Sequence, residues 1–194
     1  MAEFNPAFQR TLQYEGDKLF VDPQTNERSR YGITQKTLVN IHYITTDPNN
    51  LTMLEVEDIY SRLYWNLNKL SEVTSQLVAN KIFDMAVNMG SFRAIKLVQA
   101  SLNSIGGTCV IDGLMGPHTI VTINEFLKQA NSEERLLSEL ALKCVSFYKS
   151  IAVGNKAKFL AGWLTRAEDI GTGSADKEAF NTLRDGNNDI VVKG

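Results

Sequence analysis

The sequence predicts a mainly α-helical fold with a small β-like hairpin or turn segment near residues 17–31. Three observations predict it. Apolar residues recur three and four positions apart through most of the chain, the pattern of helices with one buried face. Helix-start signals punctuate that pattern at Asn5-Pro6, Thr52-Met53-Leu54-Glu55 and Gly116-Pro117. From Asp17 to Tyr31 the helical period lapses, and Asp22-Pro23 and Thr25-Asn26 supply turn chemistry around the short apolar run Leu19-Phe20-Val21. The chain has 194 residues, 43% hydrophobic and 22% charged, enough to bury a core and too apolar for a disordered protein.

Taken in order, Asn5-Pro6 opens a first helix whose stripe is Phe4, Phe8 and Leu12, and Gly16 ends it just after Glu15. Thr34 opens a second helix carrying Leu38, Val39 and Ile41, followed by a loop from Thr45 to Asn50. Thr52 and Glu55 fit a capping box, in which each side chain satisfies the other's backbone N–H. The helix behind it presents Val56, Ile59, Leu63 and Trp65. Further helices are expected over about Val73–Met89 and Phe92–Leu102, before Gly106-Gly107 breaks the pattern. Pro117 starts a helix carrying Ile120, Ile123 and Leu127. The longest regular stretch runs from Ser132, read as its cap, to about Ile151, with Glu133 and Glu134 complementing the positive helix end. A last helix carries Phe159, Leu160, Trp163 and Leu164, and the chain turns polar after Gly171.

Several classes of function are disfavoured by composition. The formal net charge of −2 offers no global basic field for nucleic acid or an anionic membrane surface. No stretch approaches the roughly 18 apolar residues of a membrane span, so no stable membrane insertion is expected. The N-terminal residues lack the apolar run of a secretion signal, so cytoplasmic synthesis without a signal peptide is expected. Cys109 and Cys144 stand outside any metal-ligand spacing, and His42 and His118 form no cluster with them, so neither metal nor cofactor is expected. Two buried thiols are the reading for the cysteines.

The most informative segment is Glu15-Gly16-Asp17 through Tyr31-Gly32-Ile33-Thr34. A carboxyl on the last turn of a helix faces the negative end of the helix dipole, and apolar burial adds to this; both favour the protonated form that a general acid needs. The turn-rich stretch behind it can fold back and set a second polar group across a cleft, with Asp17, Asp22, Glu27 and Ser29 as candidates. Asp84 and Asn88 lie one turn apart and share a helix face, and on the residues alone they read as a buried polar pair. Tyr31, Tyr64 and Trp65 are aromatics near these segments, and core packing is the commoner role for Trp65.

In sequence order, Tyr14-Glu15-Gly16, Tyr31-Gly32-Ile33-Thr34, Leu63-Tyr64-Trp65 and Phe83-Asp84-Met85-Ala86-Val87-Asn88-Met89-Gly90 resemble the lysozyme-like N-acetylmuramidases of glycoside hydrolase family 108. Asp112-Gly113 with Gly116-Pro117-His118-Thr119, then Gly162-Trp163-Leu164 and Arg166, resemble the peptidoglycan-binding region that accompanies that family. The resemblance implies a lysozyme-like catalytic region over 1–90, a helical peptidoglycan-binding-like region over 91–170 packed on it as one compact unit, and a polar tail over 171–194. It implies a glycosidase that cleaves the β-1,4 bond between N-acetylmuramic acid and N-acetylglucosamine in peptidoglycan glycan strands. Glu15 would be the general acid, with Ser29 or Asp22 as the second group. Tyr31, Thr34, Asp84, Asn88, Asp112 and Trp163 would contact substrate. Some family members carry a secretion-activator label, which implies action at the cell wall or periplasm after release or export through a holin or secretion apparatus. The sequence departs from the family pattern at Asp17, where a second Gly is usual, and at Asn26-Glu27. Those departures leave the second catalytic group open and keep a non-catalytic wall-binding or secretion-assisting protein as the alternative.

Overall fold

The computed structural model describes residues 1–169, and the polar tail expected over 171–194 lies outside the described residues. Helix α1 spans Phe4–Glu15. It starts one residue before the Asn5 expected to cap it, and no side chain caps it. Tertiary bonds set this start: the Ala2 N–H donates to the Val73 carbonyl at 2.9 Å and the Glu3 N–H to Gln76 Oε1 at 2.7 Å. Gly16, with φ of 68°, ends the helix in backbone space that L-residues avoid.

The turn-rich stretch folds into a small antiparallel sheet of three strands, β1 (Phe20–Val21), β2 (Arg28–Arg30) and β3 (Ile33–Thr34), in that order. Ser29 pairs with Phe20 on one side and Thr34 on the other. The sheet therefore reaches three residues past the expected segment, because Tyr31 and Gly32, both at positive φ, form a two-residue turn into β3. Arg28 pairs with Asp47 at 2.7 Å and Arg30 donates to the Asn49 carbonyl at 3.0 Å, which pins the sheet to the short turn Pro48–Asn50.

Thr34 caps α2 (Gln35–Asn40) by accepting from the Thr37 N–H at 3.0 Å. The capping box of Thr52 and Glu55 opens α3 (Met53–Tyr60). The chain then widens into a π-helical turn over Ser61–Asn66. That turn shifts the helical phase, so Trp65 is buried against Phe4 and Phe83 at 5.9 and 5.8 Å, in a core role. Helix α4 (Gln76–Met89) starts three residues later than expected, since Ser75 supplies its cap while Thr74 bonds to Asn124. From Val78 to Ala86 every residue of α4 is buried, as in a helix enclosed on all sides. Helices α1, α5 (Ser91–Ser104) and α7 (Ser132–Ile151) surround it.

Pro117 begins α6 (Pro117–Phe126). At the head of α7 the capping residue is Asn131 in the left-handed conformation, and the Ser132 hydroxyl turns back to donate to the Gln129 carbonyl at 2.7 Å. A 3-10 segment, Gly154–Phe159, leads into α8 (Leu160–Glu168). One continuous cluster of buried apolar residues runs from Ala2 to Ala167, joining both halves of the chain. Cys109 and Cys144 are free thiols within it. Among the described residues no helix is long and apolar enough to cross a membrane.

Candidate active site

The site forms where the end of α1, the turn between β2 and β3, the middle of α4 and the end of α8 converge. Glu15 is the last residue of α1, and its side chain is 16% exposed. Its Oε1 lies 2.7 Å from Arg166 Nη1, so a guanidinium from the far end of the chain meets the carboxyl. The other oxygen, Oε2, faces Gly32. A β-carbon at Gly32 would stand 2.4 Å from Oε2 and 2.9 Å from the Tyr60 hydroxyl oxygen. The sheet therefore delivers a bare backbone to the carboxyl, and only glycine fits both this approach and the φ of 68°.

Arg166 is itself buried and joins two carboxylates. Its Nε donates to Asp84 Oδ1 at 2.9 Å and to Oδ2 at 3.1 Å. Nη2 lies 2.9 Å from the same Oδ1, too bent for a hydrogen bond, and there it contributes charge alone. Burial alone would lower the Arg166 pKa, but Asp84 and then Glu15 more than reverse this and raise it. The guanidinium also sits 5.2 Å over the Tyr14 ring. Asp84 accepts in addition from the Thr11 hydroxyl at 3.4 Å. Beside this group, the buried Lys81 ammonium donates to the Arg166, Ala167 and Asp169 carbonyls at 3.1, 2.6 and 3.0 Å, closing the end of α8. Burial lowers the Lys81 pKa, with partial compensation from its neighbours. Asp169 pairs with Arg10 and accepts from the Tyr14 hydroxyl, and burial followed by that bond pushes the Tyr14 phenol up to about 12.

The wall beneath Glu15 is aromatic. The Tyr60 hydroxyl donates to the Tyr31 carbonyl at 2.7 Å and so fixes the turn that carries Gly32. Burial, and then the charge of Glu15, raises the pKa of both Tyr60 and Tyr64. The expectation for Glu15 considered only a helix terminus and apolar surroundings; the structure adds a full positive charge in contact with it.

The other sequence-predicted residues divide into groups. Asp84 joins Glu15 through Arg166 and is buried, so it acts on the carboxyl through another side chain. Tyr31 lies in the same turn, its ring buried and covered by the Arg30 guanidinium at 4.7 Å. Ser29 is half-buried in the central strand. The Thr34 hydroxyl is engaged in capping α2. Asp22 holds the β1–β2 loop: its Oδ1 accepts from the Gln24 and Thr25 N–H groups at 2.8 and 2.9 Å, and these bonds keep its pKa below the usual value. Asn88 donates to the Tyr148 hydroxyl at 2.6 Å, and Trp163 stacks on the Tyr148 ring at 5.4 Å. Asp112 stands elsewhere, accepting from Gln99 at 2.8 Å and from the Leu114 N–H at 2.9 Å in the turn before α6. Among the described residues no group of three or more His, Cys, Asp or Glu is placed to hold a metal ion.

Arg166, Gly32, Tyr60 and Lys81 are the members that sequence reasoning assigned no role. The only signal for the first two was their place in the Gly-Trp-Leu-Thr-Arg and Tyr-Gly-Ile-Thr segments.

Comparison with known proteins finds matches for both halves of the chain. Residues 8–90 match the family described as glycosyl hydrolase 108, and residues 93–168 match the predicted peptidoglycan domain. No curated protein matches the chain. A solved structure, that of SagA from Brucella abortus, superposes with a TM-score of 0.69 at 24% identity, covering 86% of this chain and 90% of that one. At this identity the likeness establishes the fold. The site built around Glu15, with Arg166 reaching it from α8, thus lies in a chain that matches glycosyl hydrolase 108 over residues 8–90 and the predicted peptidoglycan domain over residues 93–168.

Proposed function

We propose that this protein is a muramidase: a peptidoglycan glycosidase that cleaves the β-1,4 bond between N-acetylmuramic acid and N-acetylglucosamine, with Glu15 as general acid. One observation carries the reading. Glu15 is the carboxylate that a family-matched helix end delivers to the bare backbone of Gly32, partly exposed and flanked by a counter-charge. In the reaction the proton leaves Glu15 for the glycosidic oxygen as positive charge develops on the sugar carbon. The carboxylate that remains sits beside Arg166, whose guanidinium stabilises it without reorganisation, because Asp84 already holds the arginine in place. Oε2 is the oxygen suited to the transfer, since Oε1 belongs to the arginine. Ser29, beside the turn that carries Gly32, is our choice for orienting water, and Asp22 supports the loop that borders it. Work on peptidoglycan requires passage out of the cytoplasm, for which a holin-like pore or a secretion apparatus is the proposed route.

The product ends test the bond. Borohydride reduction of digested glycan strands should convert the new reducing ends to muramicitol. Glucosaminitol in its place would mean that the other glycosidic bond is cut. A second reading, glycan binding without cleavage, draws on the same ion pair: Glu15 bound to Arg166, with Asp22 engaged in a turn, could be a purely structural carboxylate. Undigested glycan strands that still co-sediment with the protein would favour it.

A further inference from the structure

A concave feature whose lining does not include Glu15 is given no ligand by the chemistry above. It is a cleft of about 800 Å³ between the β1–β2 loop and the segment leading into α8, lined by Phe20, Asp22, Gln24, Lys156, Lys158 and Phe159. That volume is in the usual range of small-ligand sites. Phe20 is 58% exposed although it is a large aromatic residue on a strand. Phe159 is 50% exposed, but its faces are used: Trp163 lies 5.8 Å away on α8, and the Lys158 ammonium sits 5.0 Å over the ring. The stack Tyr148–Trp163–Phe159 thus runs from the core outward and holds Lys158 at the cleft. The field of Lys158 reaches Asp22 on the opposite wall and contributes to its lowered pKa. Since Asp22 Oδ1 is turned into its own loop, two lysines against one carboxylate leave the cleft net positive in a protein whose overall charge is −2.

We infer that this cleft binds a carboxylate-bearing saccharide, with Lys156 and Lys158 on the carboxylate and Phe20 against the sugar face. An exposed aromatic offers an apolar surface for the C–H face of a sugar ring, and a lysine pair recognises a carboxylate as point charges. Position fits as well. Phe20 follows Glu15 by five residues, a span of at most about 17 Å of extended chain. On the other wall Phe159 precedes Arg166 by seven residues, mostly on α8. One glycan chain could therefore occupy both places. The inference rests on the muramidase reading for the identity of the saccharide. In peptidoglycan the carboxylate comes from the lactyl group of a peptide-free muramic acid or from an attached peptide stem.

Isothermal titration separates these. The full chain carrying Glu15→Gln, which keeps ligands intact, is compared with the same chain also carrying Lys156→Gln and Lys158→Gln. The ligands are peptide-free glycan strands, peptide-bearing glycan strands and a neutral chito-oligosaccharide of equal length. We expect the lysine changes to weaken binding of at least one carboxylate-bearing ligand about tenfold, the size of two exposed charge contacts, and to leave the neutral one unchanged. Which acidic ligand responds identifies the carboxylate. Lys156→Arg with Lys158→Arg should retain the affinity. Equal weakening of the neutral ligand, no change for either acidic ligand, or no binding of any of the three would overturn the proposal. Because the readout is binding, it stands whether or not Glu15 proves to be the acid.

Discussion

Gly32→Ala is the sharpest probe of how the site is built. The new β-carbon would stand 2.4 Å from Glu15 Oε2 and 2.9 Å from Glu15 Cδ, about 1 Å inside ordinary contact distance. Tyr60 cannot yield the space cheaply, because its hydroxyl is bonded to the Tyr31 carbonyl and its ring packs on Phe8 at 5.4 Å. The Glu15 carboxyl must therefore move by about 1 Å, a displacement that lowers the rate of a positioned proton transfer by about 10²-fold, or about 2.7 kcal/mol in the barrier. The φ of 68° adds about 1–2 kcal/mol of destabilisation, a loss of several degrees in Tm for a chain of this size. The assay pairs thermal melting with the release of reducing ends from purified peptidoglycan. Gly106→Ala is the control: its φ is also positive, at 103°, but its β-carbon would meet nothing within 4 Å, so it should lose stability alone. If the Gly32→Ala protein digests peptidoglycan at the wild-type rate while folded, the carboxyl that faces Gly32 is not the reacting group.

Arg166→Ala should destabilise the fold by about 3–5 kcal/mol, because Asp84 is then left buried, and Glu15 half-buried, without their shared counter-charge; a urea midpoint within error of wild type would contradict this. Arg166→Lys keeps the charge and loses the two-oxygen grip on Asp84, so it should lower kcat more than it changes KM, and an unchanged kcat would remove the arginine from the mechanism. The Cys144 thiol, pushed up to about 11 by burial and then partly relieved by Lys81, holds about 100-fold less thiolate at pH 8 than a thiol at its ordinary value of 9.0. Iodoacetamide should therefore spare it in the native protein and label it in denaturant, and raising the pH from 8 to 9 should still leave it mainly protonated; native labelling at the denatured rate would show that the site is open.

The local signals that were legible are those in which a short stretch decides its own structure. The Thr52–Glu55 box, Thr34 as a cap, Pro117 at a helix start and the long face of α7 all stand as the pattern predicts. At two helix starts where prediction and structure differ, a tertiary bond overrides a local one. Val73 and Gln76 draw the N-terminus of α1 back past Asn5, and Asn124 holds Thr74 out of α4. At the site, the place of Glu15 on a helix end ahead of a turn-rich segment was readable from Glu-Gly and Asp22-Pro23, while the turn at Tyr31-Gly32 was not. Its partner was not. Arg166 lies 151 positions further on, and no periodicity links a lone arginine to a distant carboxylate. Lys81 was hidden for a related reason: its ammonium is bonded to the carbonyls of Arg166 and Ala167 on α8 and of Asp169 just beyond it, partners that a reading of α4 alone cannot supply.

The central claim is that Glu15 donates the proton that breaks the glycan strand. Release of reducing ends from purified peptidoglycan by the wild-type chain and by Glu15→Gln, at matched folded concentration, tests it most directly. The amide keeps the shape and a contact to Arg166 but carries no acidic proton, so release should fall by about 10²–10⁴-fold. Equal release by the two proteins would contradict the account.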